Sequence, residues 1–183
     1  MGTFRLGTLT TVPVSQHREL VSASVFTMLR MLDLADRVGV ASIDPDLSDT
    51  AATQETYGLQ AEALANCVIV AGRRDGEERI AACLVSAATR ADVNGVVRRR
   101  LDVRKASFLA RQSATESTGM EFGGITPIGL PAEWPVLIDS VVAATSLVVI
   151  GSGIRRSKLI LPGDVLTALP GAEVVEGLGK PTS

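Results

Sequence analysis

Residues 115–139 read TESTGMEFGGITPIGLPAEWPVLID, and this stretch decides the fold. Gly123 and Gly124 are followed by Ile125, Thr126 and Pro127, which makes a G-x-x-x-P loop. Glycine carries no Cβ and tolerates φ above zero, so the main chain here can come close to a ligand and offer amide donors to a carbonyl oxygen. Pro127 removes one donor and fixes its own φ, which makes the loop a shaped wall rather than a linker. Thr118 and Thr126 place hydroxyls beside these glycines, where they can orient water or a substrate amino group, or simply close local turns. A Gly-Leu-Pro turn and a Pro-Val-Leu-Ile-Asp strand complete the stretch. Asp139 at its end is either a turn anchor or a general base.

Upstream, CVIVAG from Cys67 and RIAACLVS from Arg79 flank RRDGEE, and Asp75-Gly76 is a tight-turn dipeptide, so an antiparallel pair is expected. Asp92 can cap a helix with Val93, Val96, Val97 and Leu101 on one face, KASFLA follows as a short strand, and residues 112–118 form a helix stopped by Gly119. Downstream come strands around 135–139, 147–151 and 158–161 and a helix over 163–169. Helices and strands do not alternate strictly, so the expected fold class is α+β, a mixed and largely antiparallel sheet with flanking helices. Nearer the start, residues 18–38 place apolar side chains at three- and four-residue steps, which predicts an amphipathic helix. The turn-rich SIDPDLSDT then separates an N-terminal helical extension (1–45) from a main domain (46–178), with a short tail at 179–183. Asp49 or Thr50 can cap the first helix of that domain, ending at Gly58.

Composition narrows the chemistry. Of 183 residues 46% are hydrophobic, enough for one core, and 3% are aromatic, which argues against base stacking as a way to hold nucleic acid. A net charge of -2 argues against broad nonspecific binding to DNA or RNA, though a local basic face remains compatible with it. Cys67 and Cys83 lack paired spacing and a neighbouring histidine, so no metal and no cofactor are expected, and both read as free core thiols. His17 is the single histidine and lies far from the glycine loop in sequence, which leaves little base for serine or cysteine catalysis. No secretory leader pattern opens the chain and no apolar run is long enough to span a membrane, so the expectation is a cytoplasmic protein with no membrane partner. Self-association stays open.

The pattern TG-x-x-x-GGI-[ST]-P-x-G with the strand that follows, ANCVIVAG at 65–72 and VVIGSGIRRSKL at 148–159 together resemble the YbaK/EbsC-type aminoacyl-tRNA deacylases, which include the editing domain of bacterial prolyl-tRNA synthetases. The likeness runs from about residue 50 to about 178. It implies a freestanding trans-editing deacylase that hydrolyses the ester at the acceptor end of a mischarged tRNA. Gly123 and Gly124 would polarise the ester carbonyl, and Ile125, Thr126, Pro127, Gly151, Ser152 and Gly153 would wall the substrate. Where relatives open their first core strand with a lysine, this chain has Asn66 and then Cys67; a carboxamide donates hydrogen bonds but brings no charge. Lys105 could reach across from a neighbouring strand to supply it. The other expectations are a module of the same fold that binds an aminoacyl or nucleotide ligand without turnover, and an interaction protein.

Between 90 and 111 seven basic residues (Arg90, Arg98, Arg99, Arg100, Arg104, Lys105, Arg111) stand against Asp92 and Asp102. They are a solvated face or a landing site for acceptor-stem phosphates, the second reading predicting salt-sensitive binding. Arg155, Arg156 and Lys158 form a second cluster beside Gly-Ser-Gly.

Overall fold

Short strands open the fold in the computed structural model, which describes residues 2–182; Met1 and Ser183, the outermost residues of the expected extension and tail, lie outside the described residues. β1 (Arg5–Leu6) pairs with β2 (Leu9–Thr10), and β3 (Val12–Pro13) leads through two 3-10 turns to α1 (Ala23–Met31). The Ser22 side chain caps α1 by accepting from the Val25 N–H, and Val25 and Leu29, one turn apart, are wholly buried. The helix expected over 18–38 is therefore shorter. Asp33 adopts φ 56°, a left-handed conformation that a helix does not continue through. β4 (Gly39–Ser42) follows, then α2 (Thr50–Tyr57), capped by the Asp49 carboxylate and ended by Gly58.

β5 (Ala65–Arg74) and β6 (Glu77–Ser86) form the expected hairpin, paired from Ala65↔Ser86 to Arg74↔Glu77. Asp75 and Gly76 take φ of 53° and 85°, as a two-residue hairpin turn with right-handed strand twist requires. β7 (Thr89–Ala91) leads to Asp92, which caps one turn of π-helix and then α3 (Arg98–Leu101). β8 (Ala106–Phe108), α4 (Arg111–Thr118), β9 (Val136–Asp139), α5 (Ser140–Ala143), β10 (Val148–Gly151) and β11 (Ser157–Leu161) come next. The helix expected over 163–169 is a 3-10 helix at Gly163–Ala168, and β12 (Ala172–Val175) and β13 (Gly179–Pro181) follow it.

Two sheets share the core. The larger has the order β12-β9-β6-β5-β8, with β12, β9 and β6 parallel and β6, β5 and β8 antiparallel. The smaller, β10-β11-β4-β3, is antiparallel throughout. This is the mixed α+β architecture that the irregular helix and strand order predicts. On β6, Ala82 and Leu84 face one apolar core while Ala81, Cys83 and Val85 face another beneath Val97, Leu101 and Leu178. Burial on both faces explains why this strand reads as an unbroken apolar run.

The first 45 residues supply β3 and β4 to the smaller sheet and Val25 and Leu29 to the main core, so this segment is built into the fold. The expected tail likewise forms β13, paired with β7. A parallel bridge links Leu64, just before β5, with Val149 of β10, and beside that junction of the two sheets lies a cavity that both residues line. Among the described residues no helix is long and apolar enough to cross a membrane.

Leu84 is fully buried, and replacing it with alanine removes apolar contacts and leaves a cavity. Leu84→Ala is expected to lower the unfolding free energy by about 2–5 kcal/mol, read from the midpoint of a denaturant titration.

Candidate active site

Residues 119–135 carry no regular element, yet main-chain contacts to the end of β10 fix their path. Gly153 N–H donates to Gly124 O at 2.7 Å, Glu121 N–H donates to Gly153 O at 2.9 Å, and Arg155 N–H donates to the Glu121 carboxylate at 2.6 Å. Side chains would not fit between these strands of backbone. A Cβ on Gly124 would lie 2.7 Å from Ile154 O, and one on Gly151 would lie 2.5 Å from Gly124 O. Ser22 N–H donates to Ser152 O at 3.1 Å, so the cap of α1 braces the same wall. Gly123 sits at φ 90° on the cavity side of the loop, a conformation that disfavours any side chain.

The cavity measures about 540 Å³ and is enclosed by β5, the loop at 122–125, the ends of β10 and α4, and Ser48 and Thr50. Its walls are mostly apolar, with Leu64, Ile69, Leu109, Ile125 and Ile150 among them. Asn66 opens β5 on this wall, and its Oδ1 accepts from the Thr50 hydroxyl at 2.5 Å. Both amide hydrogens of Asn66 thus stay available for a ligand. Cys67 lines the cavity as well, but burial, with a smaller contribution from Cys83, pushes its thiol pKa upward and keeps it protonated. Burial also raises Cys83, to about 12, and both cysteines are free.

Lys158 is the site residue that sequence reasoning grouped with surface arginines. It enters the cavity from β11, is only 8% exposed, and donates from Nζ to Ser48 O at 2.8 Å. Among the described residues it forms no ion pair. Burial lowers its pKa to about 8; Asp49 draws it up and Arg155 adds to the depression. The signal was in the unbroken Leu-Ile-Leu run after Lys158, the mark of a strand buried on both faces, as Ser157 to Leu161 are. Among the described residues no carboxylate lines the cavity, while Arg111 stands at its mouth with its guanidinium 4.0 Å from the centre of the Phe122 ring. Phe122 and Phe108 are 46% and 63% exposed there.

The sequence candidates fall into distinct places. Asn66, Gly123, Ile125 and Gly151 come together on the cavity wall. Gly124 lies behind it, and its N–H, expected to polarise a carbonyl, donates to Glu121 O at 2.9 Å. Asp139 is buried away from the cavity; one oxygen accepts from Val141 N–H at 3.0 Å and the other from Gly179 N–H at 2.5 Å, which is the work of an anchor. Thr118 is occupied within its own helix end, donating to Ala114 O at 2.7 Å and accepting from Met120 N–H. Thr126 is buried, its hydroxyl without a partner among the described residues, and Pro127 is buried beside it. Ser152 and Gly153 build the wall from behind, Ser152 Oγ lying 2.7 Å from Ser157 Oγ. Lys105 is exposed and lies outside the cavity.

The basic cluster is partly spent on the protein. Arg100 pairs with Glu173, Arg98 Nε donates to Asn94 O at 2.8 Å, and Asp102 takes Arg74 and Arg79. Arg99 and Arg104 are exposed and form no ion pair among the described residues. Arg155 donates to Pro45 O at 3.0 Å and Arg156 to Glu19 O at 2.6 Å, tying the glycine wall to the first 50 residues. His17 pairs with Glu19 at the surface, away from the cavity.

The sequence pattern of the family described as aminoacyl-tRNA editing domain matches residues 44–169, the span that builds this cavity. The chain belongs to the aminoacyl-tRNA editing domain family. It is similar to the crystal structure of a candidate trans-editing enzyme for prolyl tRNA synthetase, at 19% identity and a TM-score of 0.71 over 88% of this chain and 99% of that one. It is also similar to the hypothetical protein APE2540, at 18% identity and a TM-score of 0.73 over 86% and 99% of the two chains. A scaffold used for computational epitope grafting matches at 20% identity and a TM-score of 0.72, over 88% of this chain and all of that one. Comparison with curated proteins gives no match. At these identities the structures establish the fold, and the editing-domain family adds the general expectation of deacylase-type chemistry on an aminoacyl-tRNA.

Asp139→Ala removes a buried carboxylate and leaves the amides of Val141 and Gly179 without their acceptor. It is expected to destabilise the fold by about 1–3 kcal/mol in a denaturant titration.

Proposed function

We propose that this editing domain is a freestanding aminoacyl-tRNA deacylase that hydrolyses the ester of a mischarged tRNA in trans. One observation carries the reading. A cavity of about 540 Å³ gathers hydrogen-bond donors at Asn66, Gly123 and Lys158 and has no carboxylate on its wall, which suits a ligand rich in acceptor oxygens. The acyl ester at a tRNA 3′ end is such a ligand. Its amino-acid side chain would lie against the apolar wall, where selectivity comes from size, about 1–3 kcal/mol per methylene.

The reaction in this reading is attack of water on the ester carbonyl. The carbonyl oxygen accepts from Gly123 N–H and the Asn66 carboxamide as charge develops on it. No protein nucleophile takes part, since the Cys67 thiol is held protonated and His17 lies elsewhere. Thr50 orients Asn66 by donating to its oxygen. The terminal base would stack at the mouth on Phe108 or Phe122, two of the few aromatic side chains of the chain. Arg99 and Arg104 remain available for phosphates along the acceptor stem. Such an enzyme would work in the cytoplasm, where charged tRNA is found.

The second reading, a binding module without turnover, gains support from Gly124, whose N–H is committed to Glu121. One assay separates the two. The full chain is incubated with a panel of mischarged tRNAs and amino-acid release is followed. The deacylase reading expects release of at least one amino acid and a loss of about 10²-fold or more in Gly123→Val, whose side chain would sit at φ 90° and approach Ser48 Oγ. Saturable binding without release in the wild type would favour the module.

A further inference from the structure

An ammonium group buried in a largely apolar wall needs an explanation, because taking it out of water is costly unless a partner of opposite charge or several acceptors replace the lost hydration. Lys158 has neither. Its one hydrogen bond is to the neutral Ser48 carbonyl at 2.8 Å, and it forms no ion pair among the described residues. The nearby Asp49 carboxylate is engaged as the cap of α2, accepting from Ala52 N–H at 2.9 Å. A lysine ammonium has three donors, so two remain for the cavity that it lines.

The position of this amine relative to Asn66 gives it a use. Asn66 is the second residue of β5 and Lys158 the second of β11, opposite Gly151 of β10 in the strand register. Both strand ends border the same cavity, with Gly123 and Ser48 also on its wall. A Cβ on Gly123 would come within 3.3 Å of Ser48 Oγ, the residue whose carbonyl holds Lys158. Asn66, Gly123 and Lys158 thus border one space, and of these three Lys158 alone carries charge.

Resting on the deacylase reading above, we propose that Lys158 is a catalytic residue that grips the ester carbonyl oxygen and balances its negative charge as water adds. The water oxygen bonds to the carbonyl carbon and the acyl C–O bond to the ribose breaks. The ribose oxygen takes up a proton, the amino acid leaves as its carboxylate, and one proton passes to solvent. Lys158 remains an ammonium throughout, and its hydrogen bond strengthens only while the oxygen is charged, so it acts on the transition state rather than on ground-state binding. The desolvation that depresses its pKa to about 8 is relieved by the same oxyanion.

The test uses the full chain as Lys158→Met, Lys158→Arg and the double variant Lys158→Met with Asn66→Lys. Release from the mischarged tRNA that the wild type hydrolyses best is measured, together with calorimetric binding of an adenosine whose 3′ ester is replaced by an amide and thermal unfolding. Lys158→Met is expected to lower kcat about 10²–10³-fold with a smaller change in KM and no loss of thermal stability, because an unpaired buried charge has been removed. The wild-type catalysed rate, after subtraction of spontaneous hydrolysis, is expected to fall as pH rises through about 8, where the free ammonium loses its proton. Lys158→Met lacks that limb, and Lys158→Arg, which stays charged, carries it to higher pH. The double variant regains at least about tenfold over Lys158→Met, since β5 again brings a cation to the same space.

Wild-type release with an undiminished rate in Lys158→Met, or the same alkaline limb in that variant, overturns the role of Lys158 and leaves the deacylase reading standing. Binding of the amide probe without release in the wild type overturns both the hydrolytic reading and the catalytic role of Lys158. Neither binding nor release in the wild type does the same.

Discussion

The close approach of two stretches of main chain, 121–125 and 151–155, is the constraint on which the site depends. Their amides and carbonyls bond to one another directly, and Gly124, Gly151 and Gly153 are glycines because a Cβ at any of them would strike backbone or the Ser22 side chain. The hydrogen bonds would be commonplace in a sheet. Here they hold an irregular loop of seventeen residues against the end of β10, which lets Gly123 sit at φ 90° with its edge on the cavity. The cap of α1 and the arginines that follow the wall tie this contact to the first 50 residues. The segment that reads as an appendage therefore supports the wall from behind, and two of its strands, β3 and β4, complete the smaller sheet.

Much of the architecture is legible in local chemistry. Asp75-Gly76 fixes the central hairpin, Asp49 and Gly58 bound α2, and Gly119 ends α4, because in each case one residue type satisfies a backbone demand that few others meet. The shorter α1 escaped because its apolar spacing continues past Met31, and only the left-handed turn at Asp33 redirects the chain. The π-turn before α3 and the 3-10 helix at Gly163–Ala168 lie beyond what periodicity resolves, since apolar side chains at 93, 96, 97 and 101 suit several helical windings.

The site was legible in part, and the division is physical. Glycines of the loop and of the β10 end carry a local signal, and the structure brings Gly123, Gly151 and Asn66 to one wall. Which amides are free is a tertiary fact: Gly124 N–H finds Glu121 O behind the wall, while Gly123 lines the cavity. Asp139 has a position in sequence that suits a base, but its two oxygens are claimed by Val141 and by Gly179, the latter forty residues further on. Charge read along the chain misled most. The arginines of 98–104 pair with Glu173 and Asn94 or face solvent, whereas the lysine at the end of the Arg-Arg-Ser-Lys run turns inward.

That inward turn follows from strand alternation. Ser157 to Leu161 pair with β10 on one side and β4 on the other, so β11 is a central strand with both faces enclosed. Lys158 has the face of Ile160, and no rotamer takes a side chain through a sheet to water on the far side. The ammonium lies instead in the cavity that Asn66 also lines, held by the Ser48 carbonyl. A site of this kind constrains where a charge stands more than which strand delivers it. β5 and β11 both end at the cavity, and a neutral carboxamide on one with an amine on the other gives the same count of donors and the same net charge as the reverse arrangement.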